Sequence, residues 1–128
     1  MKILLDTSLL ILIVEEGKDL LRVAEDKLDE VIEPYVLEDT LHELEKIAKS
    51  RGKKSNLARL ALKLAEKMKK VEYPSTLPVD LKLIEASKHY GLVLATMDQK
   101  LIEEARKKNI PVLIFHEDLR VTLEGWKT

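Results

Sequence analysis

Apolar residues arrive in short runs separated by longer amphipathic stretches, and that alternation organises the chain. Ile3-Leu4-Leu5 reads as a buried strand, too short for an amphipathic helix. The run stops at Asp6-Thr7-Ser8, and Thr7 to Val14 continues as an apolar helix, capped by Asp6 or Thr7 and ended by Gly17. Leu20, Leu21, Ala24 and Leu28 recur at helical spacing in a second helix, Asp19 to Leu28. Glu30 to Leu37 holds Val31, Ile32, Tyr35, Val36 and Leu37 around Pro34, which predicts a strand bulged or kinked by the proline. Asp39 and Thr40 open a helix with Leu41, Leu44, Ile47 and Ala48 on one face. The polar loop Ser50 to Lys54 separates it from a strongly apolar helix carrying Leu57, Leu60, Ala61, Leu62, Leu64, Ala65 and Met68.

The second half keeps the same rhythm. Val71-Glu72-Tyr73 before Pro74 predicts a third strand, and Pro74 to Pro78 is the clearest punctuation in the chain. Asp80 caps a helix with Leu81, Leu83, Ile84 and Ala86, ended by Gly91. Leu92 to Thr96 is a strand delivering Met97-Asp98. Gln99 to Lys108 is a helix stopped by Asn109, and Ile110 to Phe115 is a final strand. Glu117 onward reads as a tail packed locally around Trp126. Strands alternating with helices imply an α/β fold, a three-layer α/β/α sandwich around a central parallel sheet of about five strands. Residues 1–128 are expected to form one domain, with no internal repeat.

Composition narrows the chemistry. An apolar content of 45% excludes a disordered chain, and a mean hydropathy of -0.14 argues against a membrane protein. Leu9 to Val14 is too short for a signal peptide core or a span, so a cytoplasmic protein is the default. The absence of cysteine excludes zinc-thiolate sites, disulfides and thiol catalysis. A net charge of -1 names no partner, but its distribution is uneven. Lys49, Arg51, Lys53, Lys54, Arg59 and Lys63 lie in a stretch without a single acid. Such a segment suits an RNA backbone near the active edge or, equally, a solvated helix face. With 35% charged residues and only Asn56, Gln99 and Asn109 as amides, the composition is thermophile-like.

Four acids remain. Asp6 and Asp98 stand just past buried strands, Glu43 lies near the start of the helix after the second strand, and Asp80 begins the helix before the fourth. All four therefore project toward the carboxyl edge of a parallel sheet, where ligands collect. Taken singly, each is explained by capping, and Thr40-Leu41-His42-Glu43 fits a capping box. Taken together, converging carboxylates need protons or a cation. Oxygen-only ligands favour Mg²⁺ or Mn²⁺, and the chemistry that fits is phosphodiester hydrolysis.

Asp6-Thr7-Ser8, Glu43-Leu44, Asp80 with its apolar helix and Ala95-Thr96-Met97-Asp98 resemble the ordered acidic motifs of PIN-domain nucleases. The resemblance covers essentially the whole chain, spacing included. It implies helices around a five-stranded parallel sheet and a Mg²⁺- or Mn²⁺-dependent endoribonuclease cutting single-stranded RNA to a 5′-phosphate and a 3′-hydroxyl. It makes Asp6, Glu43, Asp80 and Asp98 the catalytic metal ligands, with Thr7 and Thr96 orienting carboxylates or waters. Lys49, Arg51, Lys53, Lys54 and Arg59 are the candidate RNA contacts.

Within the family, Glu43 to Ala48 followed by a basic loop and Leu60 to Ala65 is most similar to small archaeal PIN proteins related to ribosomal-RNA-processing nucleases. VapC-type toxins share the acids but usually carry a longer Asp-Ala-rich third motif, which makes them the more distant resemblance. Leu81 departs from the second acid many relatives carry after Asp80, and Met97 from a common small or polar residue. The resemblance leaves open a homodimer and an antitoxin or ribosome-assembly partner. Two other readings compete: a PIN-like RNA-binding or scaffold protein with weak catalysis, and an aspartyl phosphotransferase, which Ser8 disfavours because such enzymes carry a second Asp there. His42 reads as a surface or satisfied histidine, and His89 lies near a helix end, where a cation is favourable. His116, Glu117 and Asp118 follow the last strand and could reach the same edge, with Asp118 as a reserve ligand.

Overall fold

The computed structural model describes residues 1–126. Strand β1 (Lys2–Leu5) runs straight into helix α1 (Thr7–Glu16), with Asp6 between them as the N-cap. Helix α2 (Leu20–Leu28) follows, capped by the Asp19 side chain, and leads to β2 (Glu33–Leu37). Helices α3 (Glu38–Ala48) and α4 (Lys53–Glu66) form an antiparallel pair before the short β3 (Lys69–Val71). Then come α5 (Val79–Tyr90), β4 (Val93–Thr96), α6 (Gln99–Lys107), β5 (Val112–Phe115) and β6 (Val121–Glu124).

The strands hydrogen-bond in the order β3-β2-β1-β4-β5-β6, parallel except for β6, which pairs antiparallel to β5. The inner strands β4 and β5 are buried at every position, as expected of parallel strands covered on both faces. Their side chains alternate. Ile3, Leu5, Val93, Ala95, Leu113 and Phe115 pack with residues of α1 to α4, whereas Leu4, Leu94, Val112 and Ile114 pack with α5 and α6. The result is the expected α/β/α sandwich. On the first face Ala58, Ala61 and Ala65 of α4 are fully buried, and side chains that small let the helix approach its neighbours closely.

The sequence expectations need correction in several places. The five expected parallel strands are present, but an antiparallel sixth joins them, and residues 117–126 are no tail. They form a hairpin in which β6 covers the β5 edge, while Trp126 stays exposed. The third strand starts two residues early, at Lys69, and leaves out Tyr73. Pro34 neither bulges nor breaks β2. Glu33 N–H donates to the Met1 carbonyl at 2.9 Å, so Pro34 turns its missing N–H toward β3, whose pairing begins only at Tyr35.

Helix α3 starts at Glu38 with Leu37 as its N-cap, so Thr40 falls inside the first turn and makes no capping box. Its hydroxyl is buried without a hydrogen-bond partner. Likewise α5 starts at Val79 with Pro78 as N-cap, so Asp80 is a first-turn residue and not the cap.

Thr40 offers a test by sign. In a capping box, Thr40→Val would cost about 1 kcal/mol. With the hydroxyl orphaned in the core, the same change is expected to stabilise the fold by about 1 kcal/mol. A denaturant midpoint moving upward at unchanged m-value is the outcome that checks it.

Candidate functional site

Moving outward from β1, the chain lays β2 and β3 on one side and β4 on the other. The crevice past the ends of β1 and β4 is therefore the topological switch point of the sheet. Asp6 and Thr96 close it from the two strands. Asp6 N–H donates to the Ala95 carbonyl at 3.2 Å, the last rung between β1 and β4, so the carboxylate is fixed beside the end of β4.

The Asp6 carboxylate is almost fully buried and heavily used. Oδ1 accepts the Leu9 N–H at 2.9 Å, which caps α1, while Oδ2 accepts the Ser8 hydroxyl at 2.9 Å and the Thr96 hydroxyl. Thr96 Oγ1 in turn accepts the Asp98 N–H at 2.9 Å. Thus Asp98 N–H, Thr96 hydroxyl and Asp6 carboxylate form one relay across two strands. Burial pushes the Asp6 pKa up to about 6, against the lowering pull of bonds from Thr96, Leu9 and Ser8, and the Asp98 charge raises it further. No cation is paired with Asp6, Glu43, Asp80 or Asp98 among the described residues.

Glu43 projects from the second turn of α3 and accepts the Thr7 hydroxyl through Oε1, which ties α3 to the start of α1 next to Asp6. Asp98 caps α6 with Oδ1, accepting from Lys100 and Leu101 N–H at 2.9 and 3.3 Å. Asp98 is exposed. Asp80 is exposed too and lines a separate cleft between α5 and α6.

So the fold gathers Asp6, Thr96 and Asp98, brings Glu43 beside them through Thr7, and sets Asp80 on the cleft between α5 and α6. Among the described residues no three acids stand close enough to share one ion. The donor set still suits Mg²⁺ or Mn²⁺. These ions take oxygen ligands, and Mg²⁺ is commonly held by one or two carboxylates while keeping several waters. A buried, charge-raised Asp6 beside Asp98 meets that requirement.

The remaining candidates divide. Lys49, Arg51, Lys53 and Lys54 are exposed where α3 turns into α4. That turn lies about 9 Å along the helix axis beyond Glu43. Arg59 is committed elsewhere. Its guanidinium donates to the Ala48 carbonyl at 2.8 Å and to Asn56 and Ser55, closing the C-terminal end of α3. Asp118 accepts from the Arg120 side chain at 2.6 Å, which holds it below the usual carboxylate range, so it is spent within its own turn. His116 shares a hydrogen bond with the Thr122 hydroxyl at 2.9 Å.

Sequence reasoning did not assign a role to Ser8. The Asp-x-Ser spacing, which lets a hydroxyl bond a carboxylate two residues back, is the signal for it.

A family model described as PIN domain matches residues 3–122. Ribonuclease VapC9 of Archaeoglobus fulgidus is 46% identical over 83 residues, which cover 64% of this chain and 60% of that protein. Ribonuclease VapC4 of Methanocaldococcus jannaschii is 29% identical over 119 residues, 91% of each chain. Among solved structures, the PIN domain endonuclease Utp24 superposes with a TM-score of 0.75 at 22% identity, covering 98% of this chain and 92% of that one. A domain of a functionally unknown protein from Methanocaldococcus jannaschii gives 0.63 at 17% identity, covering 85% and 86%.

Proposed function

The chain belongs to the PIN domain family, and from that premise we propose that it is a metal-dependent endoribonuclease cutting single-stranded RNA, with residues 1–128 acting as one domain. The observation that carries the reading is the buried Asp6 carboxylate, bonded to Thr96 across the switch point and joined by the Asp98 charge, with no cation to balance them. A capping role does not require two carboxylates to meet. The two VapC ribonucleases supply the substrate class by similarity.

Asp6 and Asp98 would hold a Mg²⁺ or Mn²⁺ ion, with Glu43 and Asp80 completing the set through waters. When bound, such an ion lowers the pKa of water and offsets charge on a phosphate. The chain's own residues do the positioning. Thr96 and Ser8 hold one Asp6 oxygen in place, and Thr7 fixes one Glu43 oxygen, leaving its second oxygen to accept a proton or orient a water.

A fluorogenic single-stranded RNA, titrated with Mn²⁺, tests this directly. Cleavage to a 5′-phosphate that rises with metal and stops with chelator is expected. RNA binding without cleavage at any Mn²⁺ level would return the protein to the scaffold reading.

The cell role follows the relatives. Similarity to VapC ribonucleases favours a toxin nuclease held by an antitoxin, whereas the Utp24 likeness speaks to the fold alone. A small gene beside this one, encoding a protein that blocks cleavage, is the observation that separates the toxin role from ribosomal-RNA processing.

The exposed lysines make a quantitative prediction. Lys53→Gln with Lys54→Gln should flatten the salt dependence of RNA binding by about 1.4 in log–log slope, two single-strand phosphate contacts. Arg59→Gln should leave that slope alone and lower stability by about 1 kcal/mol, because it removes a bond to the end of α3. Anisotropy titrations at several salt concentrations, with a denaturant melt, check both.

A further inference from the structure

Asp80 borders a cleft that the acidic motifs do not explain. Between the first turns of α5 and α6 lies a cleft of about 280 Å³, lined by Pro78, Asp80, Leu81, Lys100, Leu101 and Glu104. Its walls are mainly apolar. Its polar groups are one cation and two acids. Lys100 and Leu101 are tied to the acid site, because their N–H groups are those that Asp98 caps. Asp80 forms the opposite rim. The cleft therefore opens beside the residue that carries the Asp98 charge, along the first turn of α6.

We infer that the cleft is a nucleobase subsite that selects guanine beside the cleaved phosphate. The inference rests on the nuclease reading above. Three features carry it. The cleft has room for an unstacked base, and Pro78 and Leu81 supply apolar contact for its faces, with Leu101 nearly buried beneath them. Unstacked bases are the usual target of sequence-specific recognition in single-stranded RNA. Next, Lys100 and Glu104 stand one turn apart on the same face of α6, about 6 Å along the axis, so an ammonium donor and a carboxylate acceptor flank the same opening. Finally, neither is tightly engaged. Lys100 is exposed and forms no ion pair among the described residues, and Glu104 has only a loose 3.5 Å contact with the exposed Lys107.

That donor and acceptor pattern fits one base best. The Watson–Crick edge of guanine presents two adjacent donors, N1–H and N2–H, beside the O6 acceptor. Glu104 accepts both donors and Lys100 donates to O6. Adenine and cytosine offer the carboxylate a single amino donor. Uracil offers the carboxylate a single N3–H donor flanked by two carbonyl oxygens, whose lone pairs face the second carboxylate oxygen. Asp80 on the rim further disfavours bases with exposed acceptors.

The test compares a uridine oligomer carrying one guanosine with the all-uridine oligomer, both cleaved with Mn²⁺. Wild type should cut next to the guanosine, with kcat/KM at least about tenfold higher than for the uridine oligomer. Glu104→Gln should lower that ratio about tenfold, and Leu81→Trp, which fills the cleft, should bring it to one. Glu103→Gln, exposed on the same helix but outside the cleft, should leave it unchanged. RNA cleaved with no preference for guanosine, or a preference untouched by both Glu104→Gln and Leu81→Trp, overturns the subsite and leaves the nuclease standing. Folded wild type that cleaves neither oligomer at any Mn²⁺ concentration overturns the nuclease reading and the subsite with it.

Discussion

Asp6→Asn is expected to reduce Mn²⁺-dependent RNA cleavage by at least about 10³-fold, roughly 4 kcal/mol of transition-state stabilisation, without unfolding the protein. The amide matches the carboxylate in shape, and its oxygen still accepts the Leu9 N–H that caps α1. The Ser8 and Thr96 hydroxyls can rotate to accept from the new amide. What is lost is the charge that a dication requires. Thr96→Val makes the graded companion. It removes a donor from Asp6 and leaves the Asp98 N–H without its acceptor, so a loss of about 10- to 100-fold is expected for a group that orients a ligand. Single-turnover rates at saturating Mn²⁺, with circular dichroism on both variants, measure the effect. A fully active Asp6→Asn would remove Asp6 from the chemistry.

Asp6 and Thr96 stand at the ends of strands that read plainly in the sequence. Strands β1, β4 and β5 were legible because strands covered on both faces are written as uninterrupted apolar runs. Asp6 and Asp98 end two such runs and were placed correctly. Helix starts were harder to read. Asp39, Thr40 and Asp80 are strong capping residues by local chemistry, yet Leu37 and Pro78 hold the N-cap positions, because β2 runs directly into α3 and Pro78 directly precedes α5. For Asp80 that shift matters. In the first turn its side chain lines the α5–α6 cleft.

Strand β6 was invisible for a different reason. Its hairpin turns through His116 to Arg120 with Leu119 at φ 68°, and leucine is no signal for a left-handed turn. The strand is four residues long and only Val121 is buried. What holds it is tertiary: its ladder to β5 and the two-pronged Arg106–Glu124 pair at 2.8 and 3.0 Å.

Stripped of divalent ions, the protein should become less stable as pH rises from about 4 to about 6. Asp6 has a folded pKa near 6 against an ordinary value of 3.8, so over that interval the native state binds more protons than the unfolded chain. Stability then falls with rising pH, and once Asp6 is ionised on both sides of the equilibrium the loss amounts to about 3 kcal/mol. Glu33, Asp118 and Glu124 push the other way: Lys69, Arg120 and Arg106 hold them low, and those contributions are in place above the ordinary values of 4.5, 3.8 and 4.5. Asp6→Asn should abolish the decline. Mg²⁺ or Mn²⁺ added above pH 6 should restore stability to wild type and do nothing for the variant, because a cation at Asp6 favours the ionised form that burial penalises. Denaturant melts across pH 4 to 8, with chelator or with metal, give both curves. A wild-type stability that is flat over this range and insensitive to metal would mean that the buried carboxylate is neither strained by its charge nor relieved by an ion.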